Sequence, residues 1–207
     1  SSVVSALTRF DYSGDILQSD SFENYVVGIY SSMLKTDTGY DLFGGRWSLD
    51  TTGAKGVEVN KLGLDFEPQS KKTLYYEEYR SSIIYGVYDN NFEKVVFGKS
   101  ILKTGELDTH GHLIFINTQT DSITHELIIK GEQGNAYVEY IITSFQETPD
   151  GNYIFLNTNT RIGSAASPRY FEIVKINREG EVIASIDGRE SDIHFGLAQD
   201  AIGDVYF

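Results

Sequence analysis

Two interleaved series of polar turns run the length of this chain, and their spacing restricts the fold more than any other feature. One series is typified by FQETPDGNYIF at residues 145–155, where Thr148-Pro149-Asp150-Gly151-Asn152 separates two apolar, aromatic runs. Proline pre-sets φ, aspartate bonds its own backbone and glycine takes positive φ without steric cost, so the stretch is predicted to be a tight hairpin. Comparable runs turn at Asp37-Thr38-Gly39, at Asp89-Asn90-Asn91 and at Asp200-Ala201-Ile202-Gly203. Anchored at positions 39, 91, 151 and 203, these turns are 52, 60 and 52 residues apart. The second series turns at Ser13-Gly14, near Pro68, near Thr120 and at Glu179-Gly180. Anchored at 14, 70, 120 and 180, its gaps are 56, 50 and 60, so both series share one period in alternating order.

Each period then holds four strands, A–turn–B–loop–C–turn–D, which is an antiparallel meander and the blade of a β-propeller. Strand C is expected to end on an apolar residue followed by a turn-capping Asp or Asn: Phe10-Asp11, Ile116-Asn117 and Ile176-Asn177, with Phe66-Glu67 as a departure. The 13% of aromatic residues suits strands, and no amphipathic helix is predicted. A β-sandwich is the alternative, but nothing in it requires the two hairpin types to alternate in phase. The expected fold is all-β, a single propeller domain over residues 1–207. It divides into a half blade at 1–18, blades at about 25–77, 80–130 and 138–188, and a half blade at 193–207. The two halves either pair to close a four-bladed ring or belong to a slice of a larger propeller, and the apolar ending DVYF favours the slice.

The stretches GNYIFLNTNT, YFEIVKINREGEVIASIDG and FGLAQDAIGDVYF carry a strand-B entry (residues 200–207) and a C–D hairpin (residues 173–183). They resemble the NHL-like and TolB-like six-bladed propellers, above all those made by Bacteroidetes as secreted or surface lipoproteins of unassigned function. The resemblance implies an exported protein at the periplasm or cell surface, lipid-anchored through a removed N-terminal segment. Six such blades need roughly 320 residues, which again points to a partial chain.

A net charge of −13 repels phosphate backbones, so nucleic acid is an unsuitable partner. A small molecule, a glycan or an envelope protein remains. The chain has no cysteine, so disulfides, zinc thiolates and thiol nucleophiles are excluded. No apolar run reaches the ~20 residues that a membrane-spanning helix needs.

In a propeller the B–C and D–A loops share one face, and a ligand site is expected there. The candidate ligand-binding residues on these loops are Arg46 and Trp47, Tyr76 and Arg80, Arg161, Arg189 and His194. Tryptophan beside arginine can stack a sugar ring, and tyrosine with acidic neighbours suits polyols or cations. Core and blade packing is the competing account for each aromatic. Asp108, His110 and His112 in DTHGH form a metal-ligand pattern only if the strand is regular there. Otherwise they are solvated loop residues ahead of strand C. DTGYD and DYSGD resemble parts of calcium loops but lack the twelve-residue length and the bidentate glutamate, so they are read as turns and no cofactor is expected. GxSxG is absent, and no catalytic residue is assigned. The expected function is non-catalytic recognition of a carbohydrate, small ligand or envelope partner by the loop face. The alternative is a propeller hydrolase or lyase acting on a glycan through acidic residues and a calcium ion.

Overall fold

The structure, a computed structural model, describes residues 5–22, 28–46, 56–75, 79–90, 92–102, 109–129, 137–162, 169–190, 198–199 and 205–206. Every regular element among them is a strand: β1 (Ser5–Phe10), β2 (Ile16–Phe22), β3 (Gly28–Lys35), β4 (Gly39–Arg46), β5 (Gly56–Gly63), β6 (Pro68–Tyr75), β7 (Tyr79–Asp89), β8 (Glu93–Leu102), β9 (Thr109–Asn117), β10 (Ser122–Ile129), β11 (Tyr137–Glu147), β12 (Tyr153–Ile162), β13 (Arg169–Ile176), β14 (Val182–Glu190), β15 (Ala198–Gln199) and β16 (Val205–Tyr206). Consecutive strands pair antiparallel into a β1–β2 hairpin, three four-stranded meanders (β3–β6, β7–β10 and β11–β14) and a β15–β16 hairpin. The all-β, antiparallel expectation holds. A single parallel pair, Glu139 with Thr109, ties β11 to β9.

The registers repeat more closely than the letters do. In each inner hairpin (β3–β4, β7–β8, β11–β12) a residue in the middle of the first strand is skipped at a matching place, Ser31, Tyr85 and Thr143, and β7–β8 has a second skip at Arg80. In each outer hairpin a residue near the start of the second strand is skipped: Leu17, Gln69, Thr124 and Ile183. Bulges at matching places give the meanders the same bend and twist. They also make positions interchangeable: Asp41, Val95 and Ile154 correspond, as do Tyr40, Lys94 and Tyr153, and Lys72, Leu127 and Ile186.

Three of the four outer turns share one hydrogen-bond frame, while in the β9–β10 turn the Asp121 N–H donates to the Asn117 carbonyl at 2.9 Å instead. Asp11 N–H donates to the Asp15 carbonyl at 2.9 Å and Gly14 N–H to the Asp11 carbonyl at 3.2 Å, and Asn177 with Glu181 and Gly180 repeats this at 3.0 Å each. The Asx side chains act as caps. Asp11 Oδ1 accepts from Ser13 N and Asp15 N, and Asn117 Oδ1 from Gln119 N and Thr120 N. The fourth turn residue needs positive φ, which Gly14 (+92°) and Gly180 (+87°) take freely.

In the first meander this turn is at residues 64–67, ahead of the expected site near Pro68, which instead opens β6. The capping position is Gly63 rather than Glu67, and Phe66 occupies the positive-φ place at +67°. A non-glycine residue there costs roughly 1–2 kcal/mol. Phe66 offsets this by burying its ring against Tyr40, with centroids 5.1 Å apart.

The core lies in the seams between successive meanders. Strand side chains alternate faces, and here both faces are buried, which explains the near-continuous apolar runs VVF at 95–97, LIFI at 113–116 and YIFL at 153–156. The first seam packs Phe43, Val57, Val59 and Leu74 against Ile84, Val96, Ile114 and Ile116. The second packs Val95, Phe97, Leu113 and Phe115 against Ile142, Phe145, Tyr153, Phe155, Val174 and Ile176. The face of the third meander directed away from the second carries Ile154, Leu156 and Ile173. Each outer turn also sits on the outer strand of the preceding unit. Gln18 Nε2 donates to the Asp65 carbonyl at 2.7 Å, Lys72 Nζ donates to the Asp121 carbonyl, and Gly180 lies so close to Leu127 that a Cβ would be 2.4 Å from its Cδ2.

A pair of glycine substitutions separates turn conformation from strand packing. A Cβ on Gly151 (φ +78°) meets nothing within 4 Å, whereas one on Gly39 would be 1.8 Å from the Leu62 carbonyl oxygen. Gly151→Ala is expected to cost about 1 kcal/mol, and Gly39→Ala about 3 kcal/mol or more, read as the shift in urea midpoint. Equal shifts would contradict the close β4–β5 approach.

Candidate functional site

In every meander the first and third strands start, and the second and fourth end, at the end that carries the long connections. Arg46 ends β4, Arg80 is the second residue of β7, and Arg161 and Arg189 are the last residues but one of β12 and β14. The backbone therefore brings all four candidate arginines out at the same end of their sheets. Trp47, Tyr76 and His194 lie outside the described residues. Arg169, which sequence reasoning passed over, starts β13 at the same end, opposite Glu190. Its position follows from where the strand begins, and the loop composition before it gave no signal of that.

His110 and His112 belong to β9, whose pairing with β8 is regular throughout, so they share a face. Both are buried, at 3% and 2% exposure, which corrects the reading of solvated loop residues. His112 Nε2 lies 2.9 Å from Glu126 Oε2 on β10. The corresponding pair in the first meander is Glu58 on β5 with Lys71 on β6, 2.9 Å apart and with Glu58 fully buried. The same cross-strand position thus holds a polar pair in two units, with the acid on opposite strands. Asp108 lies outside the described residues, and among the described residues no three His, Cys, Asp or Glu side chains come together to hold a metal.

Among the described residues, the densest charged groups sit at the other end, near the hairpin turns. Lys94 Nζ bonds Asp41 Oδ2 at 2.5 Å across the first seam, both side chains buried, with the ammonium 5.8 Å from the Phe43 ring centroid. The cleft beside it is lined by Lys61, Lys72, Lys94 and Asp121. Lys61 pairs with the Asp121 carboxylate and Lys72 with its carbonyl. Burial works against the Lys61 ammonium, but the hydrogen bond and charge of Asp121 outweigh it and hold the pKa above its ordinary value. All three lysines that line the cleft are thus occupied.

Across the second seam Tyr153 donates to Glu93 Oε2 at 3.3 Å. Arg178 binds Glu147, the Gly151 carbonyl and the Tyr153 hydroxyl, and Asn90 Nδ2 donates to Glu147 at 2.8 Å. Burial, then the Glu93 charge, pushes the Tyr153 phenol up to about 12. Burial and Glu147 likewise raise Tyr88. Asp150 is held well below the usual carboxylate range by Lys175, 2.5 Å away, and by Thr148. Phenols shifted upward and carboxylates shifted downward are stabilised in their resting forms, so the arrangement holds strands together. A group poised to exchange protons near neutrality shows the opposite shifts. Sequence reading missed this network because its members are drawn from turns and strands 25 to 60 residues apart, and only the register pairs them.

Compared with known proteins, the chain matches no family model and no curated protein.

Removing one member of the buried seam pair leaves a charge without its partner. Lys94→Met is expected to cost about 3–5 kcal/mol, and the double variant Asp41→Leu/Lys94→Met to recover most of it, measured by urea unfolding. For Tyr153 the folded pKa of about 12 exceeds the ordinary value of 10.0. Its contribution is fully present below pH 10 and is lost as pH rises through 12, because the unfolded chain ionises first. Tyr153→Phe is expected to make the loss of stability between pH 10 and 12 shallower by up to about one proton. An unchanged slope would remove the phenol from the seam.

Proposed function

We propose that the chain is a β-propeller module whose blades are the meanders, and that it binds its ligand through the loops at one end without transforming it. Three meanders of one strand order, bulged at matching places and packed face to face, support the propeller. The observation that carries the binding reading is the placement of arginine. Of seven arginines in a chain of net charge −13 (positions 9, 46, 80, 161, 169, 178 and 189), five fall at the loop-bearing strand ends. The ordered ionic network of the other end is already engaged within the protein. Arginine forks bind carboxylates bidentately, and Trp47 supplies an aromatic surface for a sugar ring. The ligand class this favours is an acidic saccharide. The exported setting rests on the resemblance to the Bacteroidetes lipoproteins alone.

Calorimetric titration with polygalacturonate and with neutral dextran tests the reading. Binding is expected for the first and not the second, and Arg161→Gln/Arg189→Gln is expected to weaken it about tenfold. Equal response to both polymers, or to neither, removes the acidic-saccharide reading. Release of new reducing or unsaturated ends during the titration replaces binding with the hydrolase or lyase reading.

A further inference from the structure

In the β11–β12 turn an aspartate stands directly before a glycine, Asp150-Gly151, whereas Thr38 separates Asp37 from Gly39 in the first inner turn and the second carries Asn90-Asn91. An Asp-Gly step lets a backbone nitrogen close on a side-chain carboxyl, because glycine carries no Cβ to shield that nitrogen and the ring formed is five-membered. Space does not prevent this at Asp150. Its side chain is 51% exposed, and a Cβ added to Gly151 meets nothing within 4 Å. What restrains the reacting groups is hydrogen bonding. Asp150 Oδ2 accepts from Lys175 Nζ on β13 at 2.5 Å, and Oδ1 accepts from Thr148 Oγ1 at 2.5 Å and from Asn152 N at 3.3 Å. Each bond favours the carboxylate over the neutral acid. Ring closure needs the neutral acid, because its hydroxyl can leave as water and a carboxylate oxygen cannot. The Gly151 N–H donates to the Thr148 carbonyl at 2.8 Å, which fixes the peptide plane of the nucleophile.

We propose that Asp150 is a latent modification site, at which the Gly151 nitrogen closes on the Asp150 carboxyl, and that Lys175 and Thr148 keep it unreacted in the folded chain. In the reaction the bond from Gly151 N to Asp150 Cγ forms, and the carboxyl hydroxyl leaves with the amide proton as water, giving a succinimide. Water then opens the ring at the Asp150 main-chain carbonyl and leaves isoaspartate. The overall change is an isomerisation and consumes no co-reactant. The main chain afterwards runs through the Asp150 side chain and is longer by a methylene. The turn bonds from Thr148 N–H to the Asn152 carbonyl and from Gly151 N–H to the Thr148 carbonyl, 2.8 Å each, depend on the ordinary path. The Gly151 carbonyl also accepts from Arg178 Nε at 3.0 Å, and Arg178 binds Glu147 and the Tyr153 hydroxyl. Modification of an exposed turn is thereby passed to the second seam.

Peptide mapping of isoaspartate after long incubation in mildly acidic buffer tests this on the full chain, with wild type, Lys175→Met and Lys175→Arg side by side. Folded wild type is expected to isomerise at Asp150 about tenfold more slowly than the same chain in urea, and Lys175→Met about tenfold faster than folded wild type. Lys175→Arg is expected to keep the wild-type rate, because it restores the charged hydrogen bond. Adding Gly151→Ala to Lys175→Met is expected to abolish the gain, since the new Cβ shields the nitrogen. The chain's other Asp-Gly step, Asp187-Gly188, is held in β14 opposite Glu172 and Phe171 and so reports unfolding. Equal rates for folded and urea-treated wild type, or for Lys175→Met and wild type, would overturn the proposal. So would a matching rise at Asp187, which would assign the gain to loss of the fold.

Discussion

No sheet in this protein can cover itself. Among the described residues there are only strands; the second and third meanders bury apolar side chains on both faces and the first on one, so the burial of each depends on a neighbouring sheet. The seam between sheets is thus the interaction on which the rest of the structure depends. Bulges matter because they keep successive sheets congruent, and the turns matter because each outer turn rests on the strand before it. The two faces of β8 and β9 make the point. Val96, Ile114 and Ile116 look toward the first meander, while Val95, Leu113 and Phe115 look toward the third. Loss of either neighbour exposes half of those strands.

Within that constraint the same places are filled by different chemistry. Where Asp41 and Lys94 meet across the first seam, the corresponding residues of the second seam, Val95 and Tyr153, lie in an apolar cluster. A buried ion pair and an apolar contact serve one geometric role, and for the pair desolvation offsets much of the attraction. What the ions add is exclusiveness: Asp41 accepts a lysine and rejects an acid or an aliphatic group. Glu58 with Lys71 and His112 with Glu126 repeat the pattern inside the meanders. This variation within a common frame is why the units look dissimilar as text while their pairing agrees.

The parts legible in the sequence were those decided locally. Asp150 and Gly151, Ser13 and Gly14, and Glu179 and Gly180 announce turns because aspartate and glycine act on their own backbone. Phe66 misled for the same reason: its positive φ is sustained by Tyr40, a partner that local reading does not supply. The bulges at Tyr85 and Thr143 were invisible, since a skipped residue exists only relative to the facing strand. His110 and His112 read as loop because the strand boundary just ahead of them carries no distinctive residue. At the candidate site, the common end of Arg46, Arg80, Arg161 and Arg189 followed from the order of strands. The seam residues Lys94, Glu147, Tyr153 and Arg178 did not, because their partners lie 25 to 60 residues away.

The matched bulges have a consequence for how such a chain can change. The skipped residues Tyr85 and Ser31 are 85 − 31 = 54 positions apart and occupy the same place in their hairpins. A segment cut from one such point to the next removes a front half and a back half that together equal one whole meander. The rejoined strands keep their register, and the newly adjoining faces are of the kinds that already meet. The heritable unit of this architecture is therefore any stretch of one period, wherever it begins. Duplication or loss by unequal recombination can then lengthen or shorten the protein in whole steps, and its breakpoints need not respect the sheets.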